Sequence, residues 1–577
     1  MEYHLKCSDA FRASCSESCP EPGIVLLHLT ADAVVSPAKL ELTVYWEMPN
    51  AGIALTWTPG NYRDKIVGPN WRRLNDSCGM SGAPIYVSVG DHDQNCLTIA
   101  CSDAKNRVGM RTGVIEENGC MDCRVRINVD SAISHYEADI RLDHRDLPFY
   151  KSIQDVQRWW TTYDGYTPAP VPSDAREPLY SAWYSYHQAI DVPAIVRECE
   201  YFAKLGARVL IVDDGWQTDD GNRGYDYCGD WQTAASKVPD MRAFVDAVHA
   251  QGMKFVLWYS VPFVGEYTAA YERFKDKLLG TRGHNNTSKT HVFDPRYPEV
   301  RAYLIDLYRK AVLDWDLDGF KFDFVDAFYQ SDETAEGMDY VSVYDAVDRL
   351  MKDVIAELRT IKPDILIEFR QSYIGPLMRT FGNMFRVGDC PCDAQSNRLS
   401  SLALRMLCGN TAIHSDMVMW HPEVCAEQAA YQLTSVLFAV PQISVRQDQL
   451  SPEQAEMVAA YLALWRKYRD VLLDGEMFYH GYANDFPYVS SRKGHTQVGA
   501  VYGGMIAYFP EVTDEIVLVN ASPDSRILLD APCAGTYRYT IADCCGKPAG
   551  SGTVVLNGAF PVIDHVPVNG VVTLTRA

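Results

Sequence analysis

The chain has 577 residues, 47% hydrophobic and 22% charged, with a formal net charge of −22. This is too long for a single core and predicts about two to four domains, and the composition excludes disordered and fibrous classes. So acidic a surface, with no basic run in the sequence to counter it, excludes nucleic acid and anionic membrane as partners.

Residues 1–165 read as strands: GIVLLHLTADA, KLELTVYWEM, CRVRINVD and YEADIRLDHR alternate apolar and polar positions between Gly, Pro, Asn and Asp clusters. An antiparallel β-sandwich is expected there. The Pro-rich stretch 166–178 reads as a linker. From 179 to about 480 strand-like and helix-like runs alternate: SAWYSY, RVLIVDD, KFVLWYS, GFKFDFV, ILIEF, MFRV, TAIHS and QISV each lead towards a helical pattern. Eight such units predict an α/β fold, a (β/α)8 TIM barrel. A doubly wound sheet is the competitor, but no GxGxxG or GxxxxGK[ST] loop occurs. Residues 481–577 return to short alternating runs and predict a C-terminal antiparallel β-sandwich.

No apolar run approaches the roughly 18 residues of a membrane span, and the N-terminus lacks a signal-peptide pattern. With 17 scattered cysteines, reduced thiols in a cytoplasm are expected. Cys120–Cys123 and Cys390–Cys392 lack a second pair or histidines at zinc spacing, so no metal site is expected from them. The aromatic content, with 12 Trp and 34 Tyr, suits both carbohydrate binding and an aromatic-rich core.

In a (β/α)8 barrel the active site forms at the C-terminal strand ends. Those ends carry Trp183 and Tyr184; Asp213, Asp214 and Trp216; Trp258 and Tyr259; Lys321, Asp323 and Asp326; Glu368, Arg370 and Gln371; Arg386 and Asp389; His414 and Asp416. Carboxylates interleaved with aromatics suit a sugar, since carboxylates accept hydroxyl hydrogen bonds and aromatic faces stack on the ring. Two more carboxylates, one ionised and one protonated, cleave a glycosidic bond. Plainer roles stand beside these: Asp393 as a helix N-cap, Asp326 as loop structure, Asp219–Asp220 as solvated loop, Lys321 and Asp323 as an ion pair, Trp183 and Trp258 as packing. A divalent-metal site built on Asp323, Glu368 and Asp389 is the weaker alternative.

The ordered set IVDDGWQ, KVPDMRAFVDAVHAQGMKFVLW, FDPRYPEVRAYL and DWDLDGFKFDFVDAF resembles glycoside hydrolase family 36, the α-galactosidases and relatives. The resemblance implies an N-terminal β-supersandwich, the barrel, and a C-terminal β-sandwich. It implies a retaining exo-acting α-galactosidase by double displacement, with Asp323 as nucleophile and Lys321 beside it keeping it ionised. Asp213 and Asp214 would grip the O4 and O6 side of galactose, and Trp183 would line the pocket; Trp216 and Trp258, from their places at strand ends, are expected to bind substrate beside it. FRVGDCPCDAQSNR places the acid/base on Asp389, with Asp393 as the alternative and Arg386 as a hydroxyl ligand. The acid/base needs a raised pKa, which nearby negative charge would supply, and a retaining pair lies about 5–5.5 Å apart. No metal or organic cofactor is implied. After the fifth strand relatives are rich in Cys and Gly, whereas this chain reads EFRQSYIGP, so Arg370 and Gln371 reshape the subsite near C2. α-N-Acetylgalactosaminidase and α-galactosyl transglycosylase are the alternatives on the same scaffold, and a non-catalytic sugar-binding protein is the alternative from another class. The expected partner is a glycan with terminal α-galactose or α-GalNAc, and single subunit and homo-oligomer are both open.

Overall fold

A computed structural model describes all residues except 1, 61–62, 285–287, 505, 510, 512 and 532–533, and only the backbone of 284. The N-terminal part is two antiparallel sheets. One has five strands, in the order His4–Cys7, Ala38–Pro49, Cys120–Ile133, Arg107–Val114 and Asn75–Ser77. The other has six, running from Phe11–Glu21 to Ile53–Trp57. Alternate residues such as Leu42, Val44, Trp46, Val125 and Ile127 are buried between the sheets, as period-two patterning requires. Within the segment read as strands, Phe149–Trp160 is a helix. Its buried Phe149, Ile153, Val156 and Trp160 fall at helical spacing.

The stretch read as a linker is packed rather than free. Ala175, in the turn Ser173–Arg176, is buried with Leu179, Val209, Ile211, Val256, Leu366, Met384 and Ala412, and so plugs the bottom of the barrel.

Eight parallel strands form that barrel: β1 (Leu179–Ser181), β2 (Val209–Val212), β3 (Lys254–Ser260), β4 (Gly319–Asp323), β5 (Leu366–Arg370), β6 (Met384–Arg386), β7 (Ala412–His414) and β8 (Gln442–Ile443). They neighbour one another in chain order, β8 pairs with β1, and a bridge between His414 and Val440 closes the ring beside β7. SAWYSY therefore splits: the strand ends at Ser181, and Trp183–Tyr186 is a helical turn. Gly319 lets β4 enter, because a Cβ there would lie 2.2 Å from the Leu366 carbonyl oxygen. Phe320 and Phe322 point outward and pack on Tyr308 of the helix Pro298–Trp315. Lys321 and Asp323 consequently point inward. Phe324 is not part of the strand; it begins the next loop at φ 61° and is half-buried.

After β3 the chain makes a small three-stranded sheet (Phe263–Gly265, Leu278–Thr281, Thr290–Phe293) before the helix Pro298–Trp315. The C-terminal part has a seven-stranded and a three-stranded sheet around Leu518, Leu529, Val572 and Leu574. It is mostly antiparallel, with parallel pairs at Thr496–Val501 with Glu515–Asn520 and at Ile506–Tyr508 with Ile527–Asp530.

Candidate active site

Inward-facing side chains at the tops of the strands build one charged cluster. Asp323, at the end of β4, is buried. Its Oδ1 accepts from Arg370 Nε at 2.6 Å, Tyr373 OH at 2.9 Å and its neighbour's amide, Phe324 N, at 2.8 Å. Among the described residues its Oδ2 accepts from Trp258 Nε1 alone, at 3.0 Å. Burial pushes this carboxyl's pKa up, but the charges of Arg370 and then Lys321 outweigh it and hold the group far below the usual carboxylate range.

Lys321 does not pair with Asp323, as its place two residues away suggests. It reaches over β3 to Asp213, with Nζ 2.5 Å from Oδ2 and both side chains about 5% exposed. The direct cation on Asp323 is Arg370, expected at the C2 subsite; Lys321 acts on Asp323, Glu368 and Asp389 through its field. Breaking one half of a buried pair leaves the other charge unpaired, so Lys321→Met is expected to cost about 3–5 kcal/mol. The check is the urea unfolding midpoint; an unchanged midpoint contradicts the pairing.

Asp214 follows Asp213 into a turn that only glycine can complete: Gly215 has φ +109°, and a Cβ there would lie 2.5 Å from Gln188 Cα. Asp214 accepts from Gln188 Nε2 at 2.6 Å and Gln217 Nε2 at 2.7 Å. Burial raises its pKa to about 6, with Asp213 adding to the rise against the two amides.

Arg386, at the end of β6, is fully buried and holds Asp416 (Nη1–Oδ1 2.5 Å) and Asp389 (Nη2–Oδ1 2.9 Å), with Glu368 3.7 Å from its Nε. Tyr184 OH and Cys390 N also donate to Asp416. The Asp389 side chain is 57% exposed. The Arg386 guanidinium lowers its pKa, against the rise expected of an acid/base. Asp393 lies away from this cluster. It caps the helix Ala394–Leu407 through Ser396 N at 2.9 Å and pairs with Arg63 at 2.8 Å.

Other expected residues divide between the mouth and the support. Trp183 is half-buried beside His187 and under the Arg223 guanidinium. Trp258 is buried and positions Asp323. Trp216, expected in the pocket, is 0% exposed and packs behind the barrel against Trp231, Tyr259 and Trp315, out of reach of any ligand. Gln371 staples β5 to the loop after β6, its Oε1 accepting from Gly388 N at 3.2 Å. Asp326 is a loop residue bonded to Ser372. His414 is buried and neutral, its pKa depressed to about 4 by burial, and donates to the Ala175 carbonyl. The acids weighed as a metal trio each have a cationic partner: Arg370 for Asp323, and Arg386 for both Glu368 and Asp389, with Gln442 also donating to Glu368. Among the described residues no group of three or more His, Cys, Asp or Glu is set to hold a metal ion. Sequence reasoning missed Tyr373, Gln188 and Gln217, the neutral residues that hold Asp323 and Asp214.

Residues 173–375 match the melibiase family model. The α-galactosidase Mel36A of Lactobacillus acidophilus is 28% identical over 178 residues, 29% of this chain and 23% of that protein. An A-type blood α-D-galactosamine galactosaminidase of Flavonifractor plautii is 25% identical over 174 residues, 27% of this chain and 15% of that protein. The chain thus spans less than a quarter of the length of these curated relatives. A variant of the GH36 α-galactosidase AgaA of Geobacillus stearothermophilus, solved with 1-deoxygalactonojirimycin, superposes with a TM-score of 0.68 at 14% identity, over 98% of this chain and 82% of that one. A second variant of that enzyme, solved with raffinose, superposes at 0.67 and 15% identity, over 98% of this chain and 81% of that one. The resemblance read from the motifs stands, and the three-part fold is that of the GH36 structures.

Proposed function

We propose, from the premise that residues 173–375 form a melibiase-family barrel segment, that this protein is a retaining exo-acting α-galactosidase. The observation that carries the proposal is Asp323: a carboxylate buried at the barrel mouth and kept ionised by Arg370 and Lys321, with the solvent-open Asp389 two strands further round.

Asp323 Oδ1 is occupied by three donors and Oδ2 by one, so Oδ2 is the oxygen that attacks the anomeric carbon, giving a β-galactosyl-enzyme. Asp389 donates a proton to the leaving oxygen and then takes one from water. Arg386 keeps Asp389 anionic in the free protein. It gains its proton when the bound sugar excludes solvent, which disfavours the charge. Asp213, fixed by Lys321, and Asp214, fixed by Gln188 and Gln217, accept from the sugar hydroxyls on the O4 and O6 side. Trp183 gives the ring a face.

Asp214 must be ionised to accept with both oxygens. The acid limb of kcat/KM is therefore expected at about pH 6, where Asp214 takes up a proton. Asp323, far lower, contributes no limb there. A pH–rate profile checks this: Asp214→Asn should lose that limb, and a limb unchanged in the variant contradicts the assignment.

The Arg370 guanidinium packs on Phe324 and Tyr373 beside the nucleophile, filling space near C2. This favours a hydroxyl there over an N-acetyl group. p-Nitrophenyl α-galactoside should be turned over faster than the α-N-acetylgalactosaminide by about tenfold or more. Equal or reversed rates would make the galactosaminidase the better reading, and galactosyl transfer products in place of galactose would make it the transglycosylase.

The substrate is a glycan or oligosaccharide ending in α-galactose. The sixteen cysteines described are all free, which supports a reducing compartment such as the cytoplasm. Among the described residues no helix is long and apolar enough to cross a membrane.

A further inference from the structure

One face of the N-terminal sandwich carries a charge pattern opposite to that of the whole chain. On the outer face of its five-stranded sheet, Arg124 lies directly opposite Arg111 on one neighbour and Tyr45 on the other. Arg126 lies opposite Thr43, which lies opposite Lys6. Like charges directly opposite on paired strands destabilise a sheet. Here only Asp122 lies between the two arginines, 2.6 Å from Arg111 and 3.1 Å from Arg124. The segment 72–74 walls this face into a cleft of about 590 Å³ that also takes in Arg72, Arg73, Glu41 and Asp76.

Two further observations mark the cleft as built for a ligand. The Nε–H groups of Arg111 and Arg124 are buried and have no hydrogen-bond partner, although Arg111 is only 9% exposed. Lys6 and Arg73 have no carboxylate partner among the described residues, and the nearest acid to Arg126 is Asp76, at 3.7 Å. Six cations thus line a space with two lining acids, and only two more carboxylates serve them from outside it, Asp122 with Arg111 and Arg124 and Asp64 with Arg72, in a chain whose net charge is −22. No run in the sequence reveals this, because the cations come from four separate segments that the sheet brings together.

We propose that this cleft binds an acidic oligosaccharide, one whose sugar rings carry carboxylate or sulfate groups. Guanidinium forks match such oxyanions bidentately. The Tyr45 ring, with the Arg124 guanidinium 5.3 Å and the His4 ring 5.1 Å from its centroid, lines the cleft beside these forks. The volume is that of a site for a few rings, and the acidic remainder of the surface opposes a long polyanion such as nucleic acid.

The proposal does not depend on the activity of the barrel, and calorimetry on the full chain tests it. The probes are trigalacturonic acid, a sulfated galactan tetrasaccharide, neutral galactotriose and a single-stranded oligonucleotide, each with saturating galactose to occupy the barrel. The acidic saccharides should bind, more weakly as salt rises, and galactotriose should not. The double variant Arg73→Ala/Arg126→Ala, at two solvent-accessible positions, should weaken that binding about tenfold or more while leaving galactoside hydrolysis unchanged. Equal binding of the neutral saccharide, unaltered affinity in the double variant, absence of binding by both acidic saccharides, or tighter binding of the oligonucleotide would each overturn the proposal. Loss of hydrolysis in the wild-type chain would instead overturn the barrel's reading and leave this test intact.

Discussion

Replacing Asp323 by Asn is expected to abolish turnover, by about 10⁴-fold or more in kcat, with the fold retained. An amide nitrogen or oxygen does not form the glycosyl ester, so double displacement stops at its first step. The side-chain shape is kept, and the Arg370 and Tyr373 donors can still reach an amide oxygen in the Oδ1 place, while the amide NH2 takes the Oδ2 place beside Trp258 Nε1. The contacts proposed for galactose, Asp213, Asp214 and Trp183, are untouched. Galactose binding measured by calorimetry should therefore persist while hydrolysis vanishes. Hydrolysis within tenfold of wild type would remove Asp323 as nucleophile. Binding without hydrolysis in the wild-type chain would favour a catalytically silent sugar-binding protein.

The second large effect separates the two acid/base candidates. Asp389→Ala is expected to lose about 10²–10⁴-fold on substrates whose leaving group needs a proton. The loss should be much smaller for 2,4-dinitrophenyl α-galactoside, whose leaving group departs unprotonated. Added azide should restore rate and yield an α-galactosyl azide, because a small anion then displaces Asp323 from the β-galactosyl-enzyme, with inversion, from the side where Asp389 activated water. Asp393→Ala removes an N-cap and an ion pair with Arg63. It is expected to cost about 1 kcal/mol of stability and to leave the kinetics unchanged. If the kinetic losses fall on Asp393 instead, the roles exchange.

The barrel was legible because its signals are local. Each strand is a short apolar run, most are followed by a periodic helix, and the polar residue at each strand end reaches the mouth whatever the register. The alternation Phe320, Lys321, Phe322, Asp323 fixed which residues face inward. Partners were not legible. Lys321 and Asp323 share a face, but their side chains lean different ways round a closed ring, and the lysine bridges β4 to the end of β2. Only the stagger of the strands decides that. Trp216 shows the converse: its place in a strand-end motif predicts pocket lining, yet the turn at Gly215 sends it behind the barrel. Asp389 was placed by motif, but the direction of its pKa shift depends on Arg386, whose reach from β6 no spacing reveals. The helix Phe149–Trp160 keeps its apolar residues at helical spacing, but it directly follows strands of alternating pattern and is short, which masks its period.

The central claim, a double displacement through Asp323, is tested most directly by the anomer released first. Proton NMR of p-nitrophenyl α-galactoside hydrolysis, recorded before mutarotation, should show α-galactose as the initial product, as two inversions at one carbon require. Initial release of β-galactose would mean a single displacement by water and would contradict the account.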